Sequence, residues 1–214
     1  MPADGERSAT LADLGLPGKG RIEALTDGIF AVAMTLLVLD LKLPDAIGGL
    51  NDGALRQALI SLLPKLESYV ISFLVLCVFW LGHHRLMHLV RGVDHLFLWR
   101  NLLFILFITF VPFTTSLMGE HRDLDDAPLV YGVNLALIIV AQFLMWRRAL
   151  FHLVDPAHAE LAARWRVVRT RYLIAFAIVA GAVLLAALDW RFASYVYLLL
   201  FFVGTMQPKP AVVH

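Results

Sequence analysis

The chain has 214 residues, 60% of them apolar and 16% charged, with a mean hydropathy of +0.75. Soluble domains run at about half apolar and about a quarter charged, so an ordinary soluble domain is excluded and a membrane becomes the natural solvent. The net charge of +1, with no basic domain, gives no footing for nucleic acid. A single cysteine, Cys77, rules out an intramolecular disulfide and a Cys-based metal site; inside an apolar run it reads as a buried, inert thiol.

Met1–Gly20 is polar and has no apolar signal-peptide core, so it reads as a mobile tail. Crossing a hydrocarbon layer of about 30 Å takes about 20 apolar residues, and the first such run is Ile22–Leu43, stopped by Pro44. Asp45–Gly53 is turn-rich, and Ala54–Leu63 has the pattern of a short amphipathic helix ending near Pro64. The further spans are Lys65–His88, Leu96–Met118, Pro128–Phe151, Arg171–Leu188 and Trp190–Met206, the last being the shortest. Pro112 predicts a kink inside the third. Continuous apolar runs, rather than short alternating ones, favour helices over a membrane barrel. The expected fold class is an all-α membrane protein of six transmembrane helices over residues 21–207, with a short tail at 208–214.

Six spans leave both termini on one side. Arg7, Lys19, Arg21, Arg85, Arg91, Arg100, Arg147, Arg148, Arg164, Arg166, Arg169, Arg171 and Lys209 fall on that side; Lys42, Arg56, Lys65, Arg122 and Arg191 fall on the other. The positive-inside rule then predicts cytoplasmic termini, with the acidic loop Glu120–Asp126 outside. Arg164–Arg171 precedes the fifth span and reads as a positive-inside determinant able to touch anionic lipid, unlike a voltage sensor, whose arginines sit within the span. Trp80, Trp99, Trp146, Trp165 and Trp190 lie mostly near span ends, as interfacial anchors do.

The first span carries the most distinctive text: Arg21, then Leu25-Thr26-Asp27, then small and apolar residues. It resembles the Arg-x3-Phe-Ser-Asp signature of the transmembrane-protein-175 family of potassium channels, with Leu25 for the Phe and Thr26 for the Ser. Trp80-Leu81-Gly82-His83 is similar to that family's Trp-x2-His ending of the second helix. Asn101 followed by Pro112-Phe113 is similar to its third helix. The three motifs stand in family order, and the resemblance covers about residues 20 to 205.

The resemblance implies a potassium-permeable channel in the cell membrane, a homotetramer of six-span subunits whose first helices line the pore. K+ would be the permeant ion, with no cofactor. The chain lacks the Thr-Val-Gly-Tyr-Gly text of carbonyl-filter channels. By the same resemblance Val32, Leu36 and Leu39 form the constriction and Thr35 lies beside it. Their spacing puts the three apolar residues within about 60° on one helical face, although such a stripe also arises by chance on any membrane helix. Val32 is smaller than the family's usual Ile or Leu, which implies a wider ring and weaker ion discrimination there. Asp27 lies about 140° from the stripe, toward a neighbouring helix. The resemblance pairs Arg21, Asp27 and His83 in a structural cluster, as charge at membrane depth requires.

His83, His84, His88 and His95 sit at one membrane face among basic residues. They read as a cytoplasmic surface rather than a metal or bis-His haem site. Titration of His83 near neutral pH would make gating or assembly pH-sensitive. No membrane-depth Ser/His, paired-Asp or His-Glu-x2-His arrangement supports an intramembrane enzyme. A coupled transporter would favour internal repeats and broken helices at mid-membrane. A proton-conducting channel or an ion-coupled transporter of the same fold stays open as the alternative.

Overall fold

The computed structural model describes residues 17–43, 52–120, 126–154, 161–188 and 193–205. Apart from positions 17–20, the two expected tails lie outside the described residues. So do most of the turn after Pro44 and the acidic loop after Glu120.

Every regular element among the described residues is helical. Helix α1 (Lys19–Leu36) tightens into a 3-10 turn at Leu37–Asp40. The short α2 (Asp52–Ser61) leads into α3 (Leu63–Leu89), which has Pro64 in its first turn, where its missing N–H costs nothing. Then come α4 (His95–Thr109), α5 (Val111–Glu120) and α6 (Asp126–Arg148), which runs into a π turn at Ala149–Leu153. Helix α7 spans Leu161–Ala187, and a 3-10 turn at Ala193–Leu198 opens into α8 (Leu199–Thr205). Lys19–Asp40, Leu63–Leu89, His95–Glu120, Asp126–Leu153 and Trp165–Ala187 are long and apolar enough to cross a membrane. The sixth apolar segment, Ala193–Gly204, is shorter. Its 3-10 and α turns together rise about 22 Å, against about 30 Å of hydrocarbon.

Two details depart from the sequence reading. The third span is two helices rather than one kinked helix. The break falls at Phe110, whose amide bonds Phe107 O at 3.2 Å in a 3-10 turn. Pro112 has no N–H for Ile108 O and its ring crowds that carbonyl, so the α ladder cannot pass. The fifth helix begins at Leu161, well before its apolar run, so Arg166, Arg169 and Arg171 lie on α7 itself rather than ahead of it. Hydropathy marks where the membrane begins. Helix propensity, high for Leu, Ala and Arg, marks where the helix begins.

The long helices alternate in direction, and polar contacts tie their ends. At one end Lys19 Nζ donates to Val90 O at 2.9 Å, and Arg100 Nη1 to Leu144 O at 2.7 Å. At the other, Lys65 pairs with Glu120 at 2.7 Å and Ser116 Oγ donates to Asp40 Oδ1 at 2.8 Å. Between the ends runs an apolar core built on Phe30, Leu76, Phe104, Ile108, Leu135 and Ile138. Two polar knots interrupt it. Thr115 Oγ1 donates to Ser72 Oγ, which bonds the Tyr131 hydroxyl, joining α5, α3 and α6. Gln142 donates to Phe79 O and accepts from the Tyr172 hydroxyl, joining α6, α3 and α7. Helices α6 and α7 meet closely at Gly132, where a Cβ would run into Val183.

Asp94 serves two helices at once. One carboxylate oxygen caps α4 through the Phe97 amide at 2.8 Å, and the other takes Arg148 Nε at 2.7 Å. Burial alone would raise this carboxyl's pKa. The hydrogen bonds from Arg148 and the Phe97 amide outweigh it and hold the group below the ordinary carboxylate value. The stabilisation is therefore complete above the unfolded pKa of about 4 and is lost as pH falls through the lower folded value. Asp94→Ala should cost about 2 kcal/mol at neutral pH, from a lost helix cap and a lost ion pair. Thermal unfolding in detergent at pH 7 and pH 3 checks this: the gap between wild type and variant should shrink at the lower pH.

Candidate permeation site on the first helix

Helix α1 has two unlike faces. Ile22, Thr26, Phe30, Ala33 and Leu37 are buried against the rest of the subunit. Phe30 packs on Phe104 of α4 with ring centroids 5.9 Å apart. The opposite face is uncovered: Val32 is 54% exposed, Leu36 44% and Leu39 60%, with Leu25 and Leu43 continuing the line. The four-residue step from Val32 to Leu36 is α-helical, but Leu36 leads directly into the 3-10 turn. In that geometry residues three apart eclipse. Leu39 therefore stands more nearly above Leu36 than a uniform α-helix would place it.

Thr35 is exposed beside this line. Its hydroxyl donates back to its own helix, to Val32 O at 2.9 Å and Ala31 O at 3.0 Å. A threonine hydroxyl has one proton and two lone pairs. With the proton directed at the backbone, the oxygen presents only acceptor capacity outward.

Of the three residues expected to cluster, Asp27 and His83 enter separate sets of contacts and Arg21 enters neither. Asp27 accepts the Trp80 indole N–H at 2.8 Å. His83, fully buried, stacks on Phe104 at 5.7 Å and bonds Asn101 Oδ1 through Nε2 at 2.9 Å. Asn101 Nδ2 donates to Thr26 Oγ1 at 3.0 Å, and Thr26 Oγ1 donates to Ile22 O at 2.9 Å. Following the donors along this chain fixes the histidine: an acceptor oxygen faces Nε2, so Nε2 carries the proton. Among the described residues Arg21 pairs with neither partner; it is exposed on the first turn. The hydrogen bonds joining α1 to α3 and α4 include Asp27–Trp80 and Thr26–Asn101–His83, at the arginine-rich end.

Trp80, expected as an interfacial anchor, is half-buried and donates its indole N–H to Asp27. Thr26 and Asn101 had no expected role beyond their place in the motifs. The signal for Asn101 was present: an amide inside an apolar run must find a partner. Cys77 is half-buried rather than enclosed. His84 and His88 bring their Nε2 atoms within 3.1 Å, Trp80 stacks on His84, and Glu23 lies 3.7 Å from His84 Nδ1. Among the described residues no group of three His, Cys, Asp or Glu side chains is placed to hold a metal ion.

Comparison with known proteins bears on this arrangement. Residues 21–112 match the family model of the endosomal/lysosomal potassium channel TMEM175. A protein of Chamaesiphon minutus named a potassium channel is 37% identical over 178 residues, covering 74% of this chain and 83% of that one. An animal relative, the endosomal/lysosomal proton channel TMEM175 of Gallus gallus, is 29% identical over 150 residues, covering 65% of this chain but 30% of its own. Among solved structures, the lysosomal potassium-selective channel TMEM175 homolog from Chamaesiphon minutus superposes with a TM-score of 0.66 at 32% identity. That match covers 86% of this chain and 97% of the other. The matched segment holds the whole of α1 from Arg21 onward, its partners Trp80, His83 and Asn101, and the break at Pro112, so the chain belongs to the TMEM175 family.

Proposed function

We propose that the protein is a potassium-permeable cation channel of the cell membrane, a homotetramer whose pore is lined by α1. The observation that carries this reading is the uncovered line of Val32, Leu36 and Leu39. It lies on a helix whose other face is sealed into the subunit by Phe30 and by the Thr26–Asn101–His83 chain. In a four-fold ring those side chains meet on the axis. They form a hydrophobic constriction that conducts when wide enough to stay wet and closes by dewetting when narrow. Thr35, with its acceptor lone pairs outward, offers an oxygen to an ion that has shed part of its hydration. The arginine-rich end faces the cytoplasm by the positive-inside rule, which reporter fusions at each terminus test. Asp27 and His83 hold α1 in place rather than touch ions.

The direct test is reconstitution of the purified protein in planar bilayers under a K+/Na+ gradient. A reversal potential displaced toward that of K+ is expected. Val32→Leu should move it further toward K+, because a longer side chain narrows the first ring; equal reversal potentials would remove Val32 as a determinant of selectivity. Proton permeation is the second reading, favoured by the names of the animal relatives. Opposed K+ and H+ gradients separate the two, and a fixed coupling ratio between the fluxes would instead indicate an ion-coupled transporter.

A further inference from the structure

Away from α1, a cleft opens between α3, α6, α7 and α8. None of its lining residues belongs to α1. Its walls are apolar along most of their length: Val75 and Val78 of α3, Ile139 of α6, Ala175 of α7, Leu200 and Val203 of α8. From Gly82 down to Val75 it follows α3 for seven residues, about 10 Å.

The head of the cleft is cationic. Arg171 lines it, and Arg171 Nη2 donates to Gly204 O at 3.1 Å. Arg85 Nη1 donates to the same oxygen at 2.9 Å. Two guanidinium groups thus converge on one neutral carbonyl. Among the described residues no carboxylate forms an ion pair with either. Arg171 Nε is buried and has no partner among the described residues. Each guanidinium has five N–H donors, so most of their capacity is unspent. Like charges brought together at membrane depth are costly without a counter-charge.

We propose that this cleft binds an anionic phospholipid from the leaflet at the arginine-rich end, with its phosphate on Arg85 and Arg171 and the first part of an acyl chain along Val75, Val78 and Leu200. Arginine forks match phosphate oxygens in paired hydrogen bonds. A free anion would satisfy the arginines but leave the apolar wall unused. A zwitterionic lipid brings a cation with its phosphate and so offsets less of the two positive charges than an anionic one does.

The test is native mass spectrometry of the purified full chain released from micelles containing equimolar phosphatidylglycerol and phosphatidylcholine with matched chains. Wild type should retain phosphatidylglycerol preferentially. Arg85→Gln and Arg171→Gln should each reduce that preference about fivefold, the scale of one basic residue against an anionic lipid. Arg169→Gln, the same charge change at an exposed position of α7, should leave it unaltered. Ala175→Phe fills the cleft while keeping both arginines. It should lower retention of both lipids, and it carries the test if an arginine variant does not fold. An unchanged preference in Arg85→Gln and Arg171→Gln, or an equal loss in Arg169→Gln, would overturn the assignment. Displacement of the lipid by millimolar inorganic phosphate would also overturn it, in favour of a free-anion site.

Discussion

Asn101→Leu should destabilise the subunit by about 2 kcal/mol, seen as a lower unfolding midpoint in detergent. The side chain is fully buried and is the middle link between α1, α3 and α4. Leucine is close in size, so the packing loss is small. What is lost is the partner of two buried groups: the His83 Nε2–H has no acceptor and Thr26 Oγ1 no donor. Leaving a buried polar group unpaired costs about 1–3 kcal/mol, whereas a satisfied interhelical hydrogen bond in a membrane protein contributes about 0.6. Thr26→Val leaves only the Asn101 amide short of one acceptor, because the hydroxyl's own donation was to Ile22 O within its helix, and should cost about half as much. A variant as stable as wild type would mean that the chain of contacts does not hold α1.

The second large effect concerns conduction. Leu36→Asn should raise the current through reconstituted channels on the order of tenfold, equivalent to removing about 1.4 kcal/mol from the barrier. It should also reduce K+/Na+ discrimination. A ring of amides stays hydrated at a diameter where a ring of leucines dries. The adjacent Leu37, buried on the opposite face, provides the control. Leu37→Asn places an amide in the core and should lower stability with no gain in current. Should Leu36→Asn conduct like wild type while Leu37→Asn conducts more, the exposed face of α1 would not be the one facing ions.

Much of this fold could be read from hydropathy, because a bilayer penalises every misplaced charge. Runs interrupted only by clustered Arg, Asp and Glu place five long helices where the structure has them. Hydropathy carries no information on backbone geometry within an apolar run. The sequence therefore signalled trouble at Pro112 but not that the third span becomes two helices broken at Phe110. It also placed the start of α7 about ten residues late, since arginines that end the apolar run still favour helix. At the site, the angular separation of Asp27 from Val32 correctly turns the carboxylate toward another helix. The identity of its partner did not follow. Asp27 takes the Trp80 indole and His83 takes Asn101 because those groups lie on neighbouring helices at matching depth. Matching depth depends on how far α3 and α4 are shifted along their axes, which no local pattern encodes.

The contacts of α1 have a mechanical consequence. Near its N-terminus the helix is tied to the bundle by Lys19, Thr26 and Asp27, and just past its last α turn Asp40 is held by Ser116. A rod pinned at both ends has no torsional freedom. Turning Leu36 away from the axis would break bonds to α3, α4 and α5 at once. In the proposed ring of such subunits, the aperture would change by tilting each subunit as a rigid body, with α1 carried along rather than twisting within it.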